Sequence, residues 1–132
     1  MLSRRQLFAA ALATGAGFSL VALKPAAAAQ PFDAAAFAAA QTAGKPILLD
    51  VTASWCPTCR AQAPILSRLL GESRFKDLVV FDVDFDTRKD LLREFGVRSQ
   101  STLIVFKGRD EAGRSVGDTT PAGIEGLLSK AV

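Results

Sequence analysis

The pattern of apolar positions predicts alternating helices and strands from residue 33 onward. Residues 46–52 form a nearly continuous apolar run of strand length, which is typical of a strand buried on both faces of a parallel sheet. From residue 57 to residue 70 the apolar positions recur at helical spacing and define an inward stripe, Ala61, Ile65, Leu66, Leu69 and Leu70. A strand that leads directly into a helix is therefore the centre of the predicted fold.

The rest of the chain continues this alternation. Predicted helices cover residues 34–43, with Asp33 as the cap, residues 87–95, and a segment beginning at Pro121; predicted strands cover residues 78–84, 102–107 and 111–116. Because a helix separates the first two strands, they form a parallel crossover, whereas the last two form an antiparallel hairpin. The sequence predicts one α/β domain over residues 30–132, with a mixed central sheet flanked by helices.

The first 29 residues have the layout of an export signal. Arg4 and Arg5 precede a weakly apolar stretch over residues 7–23, and small alanines follow up to Ala29. The start of the chain resembles a twin-arginine signal. We predict a signal peptide over residues 1–29 that engages the export machinery and is cleaved after Ala29, which makes the domain periplasmic. The alternative is an uncleaved inner-membrane anchor, although residues 7–23 would span only about 25 Å as a helix.

Charge and composition exclude several classes of function. Three of the 16 basic residues lie before residue 30 and none of the 13 acidic ones does, so the remaining chain carries 13 of each sign. A neutral domain gives no reason to expect nucleic-acid binding. The chain has no histidine, which excludes Ser-His-Asp and Cys-His catalysis and His-ligated metals. Its two cysteines cannot complete a tetrahedral zinc site within one chain.

Those two cysteines, Cys56 and Cys59, are the candidate chemistry. They open the helix that follows the strand over residues 46–52. At a helix start, unpaired N–H groups and the helix dipole favour a thiolate at Cys56, the attacking species in disulfide exchange. Pro57 suits the first helical position because its missing N–H is not needed there. Cys59 lies one turn later and can attack a mixed disulfide at Cys56.

Asp50 is a second candidate. It is a carboxyl within an otherwise apolar strand, six residues before Cys56. Burial there raises a carboxyl pKa, and the group can then exchange a proton with Cys59. The alternative is that Asp50 only makes a hydrogen bond at the end of the strand.

Three segments together resemble the thioredoxin family. Residues 47–59 are similar to the thioredoxin active-site segment, and residues 95–98 and 102–108 are similar to the approach to a later strand and that strand itself. The resemblance implies a thioredoxin fold and a thiol–disulfide oxidoreductase without a bound cofactor or metal. It implies roles for six residues: Cys56 as nucleophile, Cys59 as resolving thiol and Asp50 in proton transfer, supported by Trp55, Pro57 and Thr58.

The sequence departs from the family at the predicted substrate loop. Thioredoxins have a cis-proline just before the later strand, and the loop there lends backbone hydrogen bonds to the substrate. Here the loop reads Gln100, Ser101, Thr102. Since a cis bond before a non-proline residue costs ~2.5–4 kcal/mol, we predict a trans peptide before Ser101. A second departure is Asp82, which counting places where thioredoxins carry a lysine beside the buried acid.

The expected function is reduction of oxidised protein substrates by a monomer that takes electrons from a membrane thiol–disulfide donor. Three alternatives remain open at this point. The same residues serve a disulfide-donating oxidase. A thioredoxin fold with a permanently closed disulfide is a binding module. Ser101 in place of the proline leaves room for a zinc or iron–sulfur site shared between two chains.

Overall fold

The structure is a computed structural model that describes residues 28–132. Its elements in chain order are β1 (Gln30–Pro31), α1 (Ala34–Thr42), β2 (Pro46–Thr52), α2 (Pro57–Leu70), a 3₁₀ turn (Ser73–Phe75), β3 (Val79–Asp84), α3 (Lys89–Glu94), β4 (Thr102–Lys107), β5 (Asp110–Val116) and α4 (Pro121–Ser129). The strands form one sheet in the order β1-β3-β2-β4-β5. β2 is parallel to β3 and antiparallel to β4, and β4 and β5 form the hairpin. The predicted α/β fold with a mixed sheet is confirmed.

The predicted leader lies outside the described residues, apart from Ala28 and Ala29. Within residues 28–132 no helix has the length and apolar character needed to cross a membrane. The signal peptide, its cleavage after Ala29 and the alternative anchor therefore stay predictions.

Two separate apolar layers cover the faces of the sheet. On one face, α1 and α3 pack on the side chains of Ile47 and Leu49, with Phe37 at the centre of a group of edge-to-face phenylalanine rings. On the other face, α2 and α4 pack on Leu48, and this layer includes Leu66 and Ile124. Because strand residues alternate between faces, Asp50 lies on the same face as Leu48, beneath α2.

The third helix is shorter than the pattern predicted. It covers Lys89–Glu94, whereas residues 87–95 were expected. The Asp84 carboxylate accepts hydrogen bonds from the backbone N–H groups of Asp86 (2.8 Å) and Thr87 (3.0 Å), which fixes a turn at the end of β3 and delays the helix. The pattern also missed the two-residue strand β1 and the 3₁₀ turn, which are too short to have a periodicity.

The inward stripe predicted for α2 is confirmed at Leu66 and Leu69, with Ile65 and Leu70 half-buried beside them, but not at Ala61. The buried residues are Cys59, Gln62, Leu66 and Leu69, whereas Ala61, predicted inward, is exposed. The helix turns so that Cys59 faces the sheet, and positions three, seven and ten residues later follow it inward. The prediction for Ala61 was wrong because it weighed apolar character alone, and a polar side chain, Gln62, takes the buried position.

Candidate active site

The two cysteines lie where β2 passes into α2. Cys56 is the N-cap of the helix, Pro57 follows in its first turn, and a disulfide joins Cys56 to Cys59 with the Cα atoms 5.3 Å apart. The Cys59 N–H donates to the Cys56 sulfur at 3.1 Å, so one of the free amides of the helix start points at this atom. The same N–H and the helix dipole favour negative charge on Cys56 when the disulfide is reduced.

The oxidised pair is covered. Cys56 has no exposed surface and Cys59 is 8 % exposed in this oxidised state. Trp55 is the exception in this segment, with 51 % of its surface exposed. Its indole N–H donates to the Asp86 carboxylate at 2.8 Å, which fixes the ring beside the disulfide and offers an apolar contact surface. Thr58 is partly buried.

Asp50 and Asp82 are paired directly across the parallel strands β2 and β3. Burial, and to a lesser extent the neighbouring charge of Asp82, together raise the pKa of Asp50 to about 7. Burial also raises the pKa of Asp82. The expectation that Asp82 lies beside Asp50 is confirmed by this register. A carboxyl with a pKa near 7 can accept or release a proton under neutral conditions.

The surroundings of Asp50 fit proton exchange better than a fixed hydrogen bond. Its Oδ1 is inaccessible to solvent and finds no hydrogen-bond partner among the described residues. A cavity of about 330 Å³ lies next to Asp50, with Ala63 and Leu66 of α2 among its lining residues. Ala63 lies one turn after Cys59, so the cavity beside Asp50 lies along the helix that carries the resolving thiol. The cavity has room for water, which offers a proton route to the carboxyl.

The predicted substrate loop has an unusual backbone at Ser101. The residue has a φ of 60°, the one positive φ of a non-glycine residue within 28–132, and the same range contains no cis peptide bond. The trans bond before Ser101 is therefore confirmed. Ser101 and Thr102 are buried, and Gln100 is partly buried. The Ser101 N–H donates to the Val51 carbonyl at 2.8 Å, which attaches the loop to the end of β2, close to the cysteines.

The structure thus brings the sequence-predicted residues together at one end of the sheet. Sequence reasoning missed Gln62 and Asp86. A correct helical phase for α2, taken from Cys59, identifies Gln62 as inward, whereas nothing in the sequence pattern marked Asp86 as the partner of Trp55. Among the described residues, no three His, Cys, Asp or Glu side chains are grouped so that they hold a metal ion.

Comparison with known proteins identifies a family to which this chain is similar. The family model described as Thioredoxin matches residues 28–130. The thioredoxin of Mycobacterium tuberculosis is 38% identical over 91 residues, which cover 69% of this chain and 78% of that protein. A bifunctional thioredoxin reductase/thioredoxin of Mycobacterium leprae is 38% identical over 100 residues, 76% of this chain but only 22% of that protein. The crystal structure of Trxlp from Edwardsiella tarda superposes with a TM-score of 0.74 at 42% identity, covering 76% of this chain and 98% of that one.

Proposed function

We propose a direction and a location for the chemistry of this chain, which belongs to the thioredoxin family and is a thiol–disulfide oxidoreductase. The chain reduces disulfides of oxidised proteins. The observation that carries this proposal is a sulfur at a helix start, Cys56, combined with a carboxyl of raised pKa, Asp50, in a chain similar to thioredoxins. Cys56 supplies the attacking thiolate, and Asp50 accepts the proton of Cys59 when the mixed disulfide is resolved.

The reaction begins with the reduced dithiol. The Cys56 thiolate attacks one sulfur of the substrate disulfide, which forms a mixed disulfide and releases the other substrate sulfur as a thiolate. Asp50 takes the proton of Cys59, and the Cys59 thiolate attacks the Cys56 sulfur. The Cys56–Cys59 disulfide forms, and the second substrate thiolate leaves. Two electrons have passed to the substrate, and its two thiolates take up protons from solvent or Asp50.

The oxidised chain then needs a dithiol donor to return the two electrons. The Mycobacterium leprae relative is described as a thioredoxin reductase joined to a thioredoxin, which supports a dedicated donor for this chain too. Since the predicted leader directs the domain to the periplasm, we propose a membrane thiol–disulfide protein as donor. The balanced charge from residue 30 onward gives no reason to expect nucleic-acid binding, and the chain acts on protein substrates as a monomer in this proposal.

The redox potential tests the direction. We expect the full-length chain, equilibrated against glutathione and dithiothreitol buffers, to have a potential near the thioredoxin value of about −270 mV. A value near about −120 mV contradicts reduction and makes the chain a disulfide donor. A disulfide that dithiothreitol does not open supports a binding module, for which the complete burial of Cys56 is the favouring observation.

The location has its own test. A reporter that is active only after export is fused behind residues 1–29, and Arg4 and Arg5 are both replaced by lysine. We expect export with the natural leader and its loss with the lysine pair, because the proposed signal depends on the two arginines and not only on their charge. Lys24→Ala in the same leader is the control and leaves export unchanged. Equal export by all three leaders contradicts the twin-arginine proposal.

A further inference from the structure

Gln62 is a buried amide that no step of the chemistry uses. It lies on α2, three residues after Cys59, and only 1 % of its surface is exposed. Its Nε2 donates to two main-chain carbonyls, that of Ser101 at 3.3 Å and that of Asp118 at 2.9 Å. Because a carbonyl only accepts, these two bonds fix which end of the amide faces the loops. One side chain therefore joins the cysteine helix to the loop before β4 and to the loop before α4.

The Ser101 carbonyl oxygen accepts two hydrogen bonds from different parts of the chain. Besides Gln62, it accepts a hydrogen bond from the N–H of Gly117 at 3.0 Å, just after β5. Within the loop, the Ser99 hydroxyl donates to the Gln100 carbonyl at 3.0 Å, and the Thr102 hydroxyl donates to the Ser99 carbonyl at 2.7 Å. The loop is thus held by its own side chains and by α2.

This support matters because Ser101 has a left-handed backbone. For a residue with a Cβ atom that conformation is unfavourable, and it persists only where the surroundings hold it. A proline at the same place would have a negative φ and no N–H. Ser101 instead turns its carbonyl towards Gln62 and Gly117 and its N–H towards Val51. The polar Gln62 and the non-proline Ser101 are therefore two parts of one arrangement.

We propose that Gln62 is a positioning residue that holds the loop of Ser99, Gln100 and Ser101 in place to dock the polypeptide of an oxidised protein substrate. This inference rests on the proposed reductase function. A protein substrate needs an ordered loop beside the cysteines, since its chain contacts the loop as well as a sulfur. A small disulfide exchanges at the sulfur and needs no loop. Gln62 thus favours protein disulfides over small ones.

The experiment compares Gln62→Met with Ser67→Ala in the full-length chain. Met keeps the length and the burial but donates no hydrogen bond, while Ser67 is an exposed residue of the same helix and serves as the matched control. With dithiothreitol as electron source, KM and kcat are measured for insulin and for 2-hydroxyethyl disulfide. We expect KM for insulin to rise about five- to tenfold, equivalent to one lost buried hydrogen bond, with kcat and both constants for the small disulfide unchanged.

Amide hydrogen exchange supplies a readout that does not depend on turnover. In Gln62→Met we expect faster exchange of the Ser101 and Gly117 amides and unchanged exchange at the centre of β2. Unchanged exchange at both loop amides overturns the holding role. Faster exchange with an unchanged KM for insulin overturns the role in docking. Equal losses for insulin and the small disulfide also overturn it, because they mean damage to the cysteines.

Two further outcomes distinguish failure of this inference from failure of the proposed reductase function. If the unaltered chain reduces neither disulfide, the proposed function fails and substrate docking by the loop fails with it, whereas the exchange data still decide whether Gln62 holds the loop. If Gln62→Met does not fold, Gln62→Asn replaces it. The Asn side chain keeps the amide but is one methylene shorter, and the same rise in KM and in exchange is expected.

Discussion

The cysteine segment and the loop before β4 meet at the end of β2, yet they relate differently to the thioredoxin family. The segment from β2 into α2 keeps the family's chemistry, with Cys56 at the helix start and Asp50 beneath the helix. The loop has a left-handed Ser101 where the family has a proline, and a buried glutamine holds it. The difference teaches that the bond-exchange step and the substrate-docking surface are separate parts of the fold, so one can change while the other stays.

Removing the resolving thiol tests the conserved side of this comparison and has the largest expected effect. In Cys59→Ser the first attack by Cys56 still proceeds, but the mixed disulfide cannot be released. We expect turnover with insulin to fall by more than about a thousandfold. Mass spectrometry should find substrate bound covalently at Cys56. Ser67→Ala is the control, and substrate bound at residue 59 in the reciprocal variant Cys56→Ser would mean that the roles of the two cysteines are reversed.

Restoring the family's proline tests the altered side. Ser101→Pro removes the N–H that donates to Val51 and demands a φ near −65°, whereas Ser101 has a φ of 60°. We expect a loss of about 3 kcal/mol in the free energy of unfolding, measured with urea. Ser101→Ala is the matched control and should cost about 1 kcal/mol, the value of its hydroxyl hydrogen bond to Gln100. A stable Ser101→Pro variant would mean that the loop easily adopts the family's conformation.

The same contrast explains how far the sequence alone could predict the molecule. The strand and helix around Cys56 carry strong signals, namely a long apolar run, a helical stripe and paired cysteines, and β2, α2 and β4 were predicted with their observed bounds. The direction of the Gln62 side chain depends on how α2 rotates to bury Cys59. The backbone of Ser101 depends on partners in α2 and after β5, 39 and 16 residues away. Contacts between distant segments leave no local pattern.

Asp50→Asn tests the proposed role of Asp50 as the proton acceptor for Cys59. The folded-state pKa of Asp50, about 7, lies above the ordinary aspartate pKa of 3.8, so the folded protein binds the proton more tightly than the unfolded chain does. The stability this gives is complete below pH 4 and is lost as the pH rises towards 7. We expect Asp50→Asn to raise the free energy of unfolding at pH 8 by about 4 kcal/mol and to change it little at pH 4.

Activity should move the opposite way in that variant. At pH 7 we expect release of the mixed disulfide to slow by about 10–100-fold, because Cys59 loses its proton acceptor. Rapid-mixing kinetics of the release step measure this, and Asp110→Asn, on the exposed surface of β5, is the control. An unchanged rate would leave Asp50 as a buried acid without a role in the reaction.

Asp82→Asn gives the smallest expected effect. It tests whether the charge of Asp82, beside Asp50, influences the release of the mixed disulfide. The charge of Asp82 contributes to the raised pKa of Asp50, but burial contributes more. Removing that charge should move the pH midpoint of mixed-disulfide release to lower pH. The movement should be less than half of the difference between the pKa of Asp50 and the ordinary aspartate pKa. Asp82→Lys should move it further in the same direction, since a cation stabilises the Asp50 carboxylate. The pH midpoint is thus expected to be highest in the natural chain, lower in Asp82→Asn and lowest in Asp82→Lys. Any other order would mean that the two carboxyls titrate independently, although β2 and β3 pair them directly.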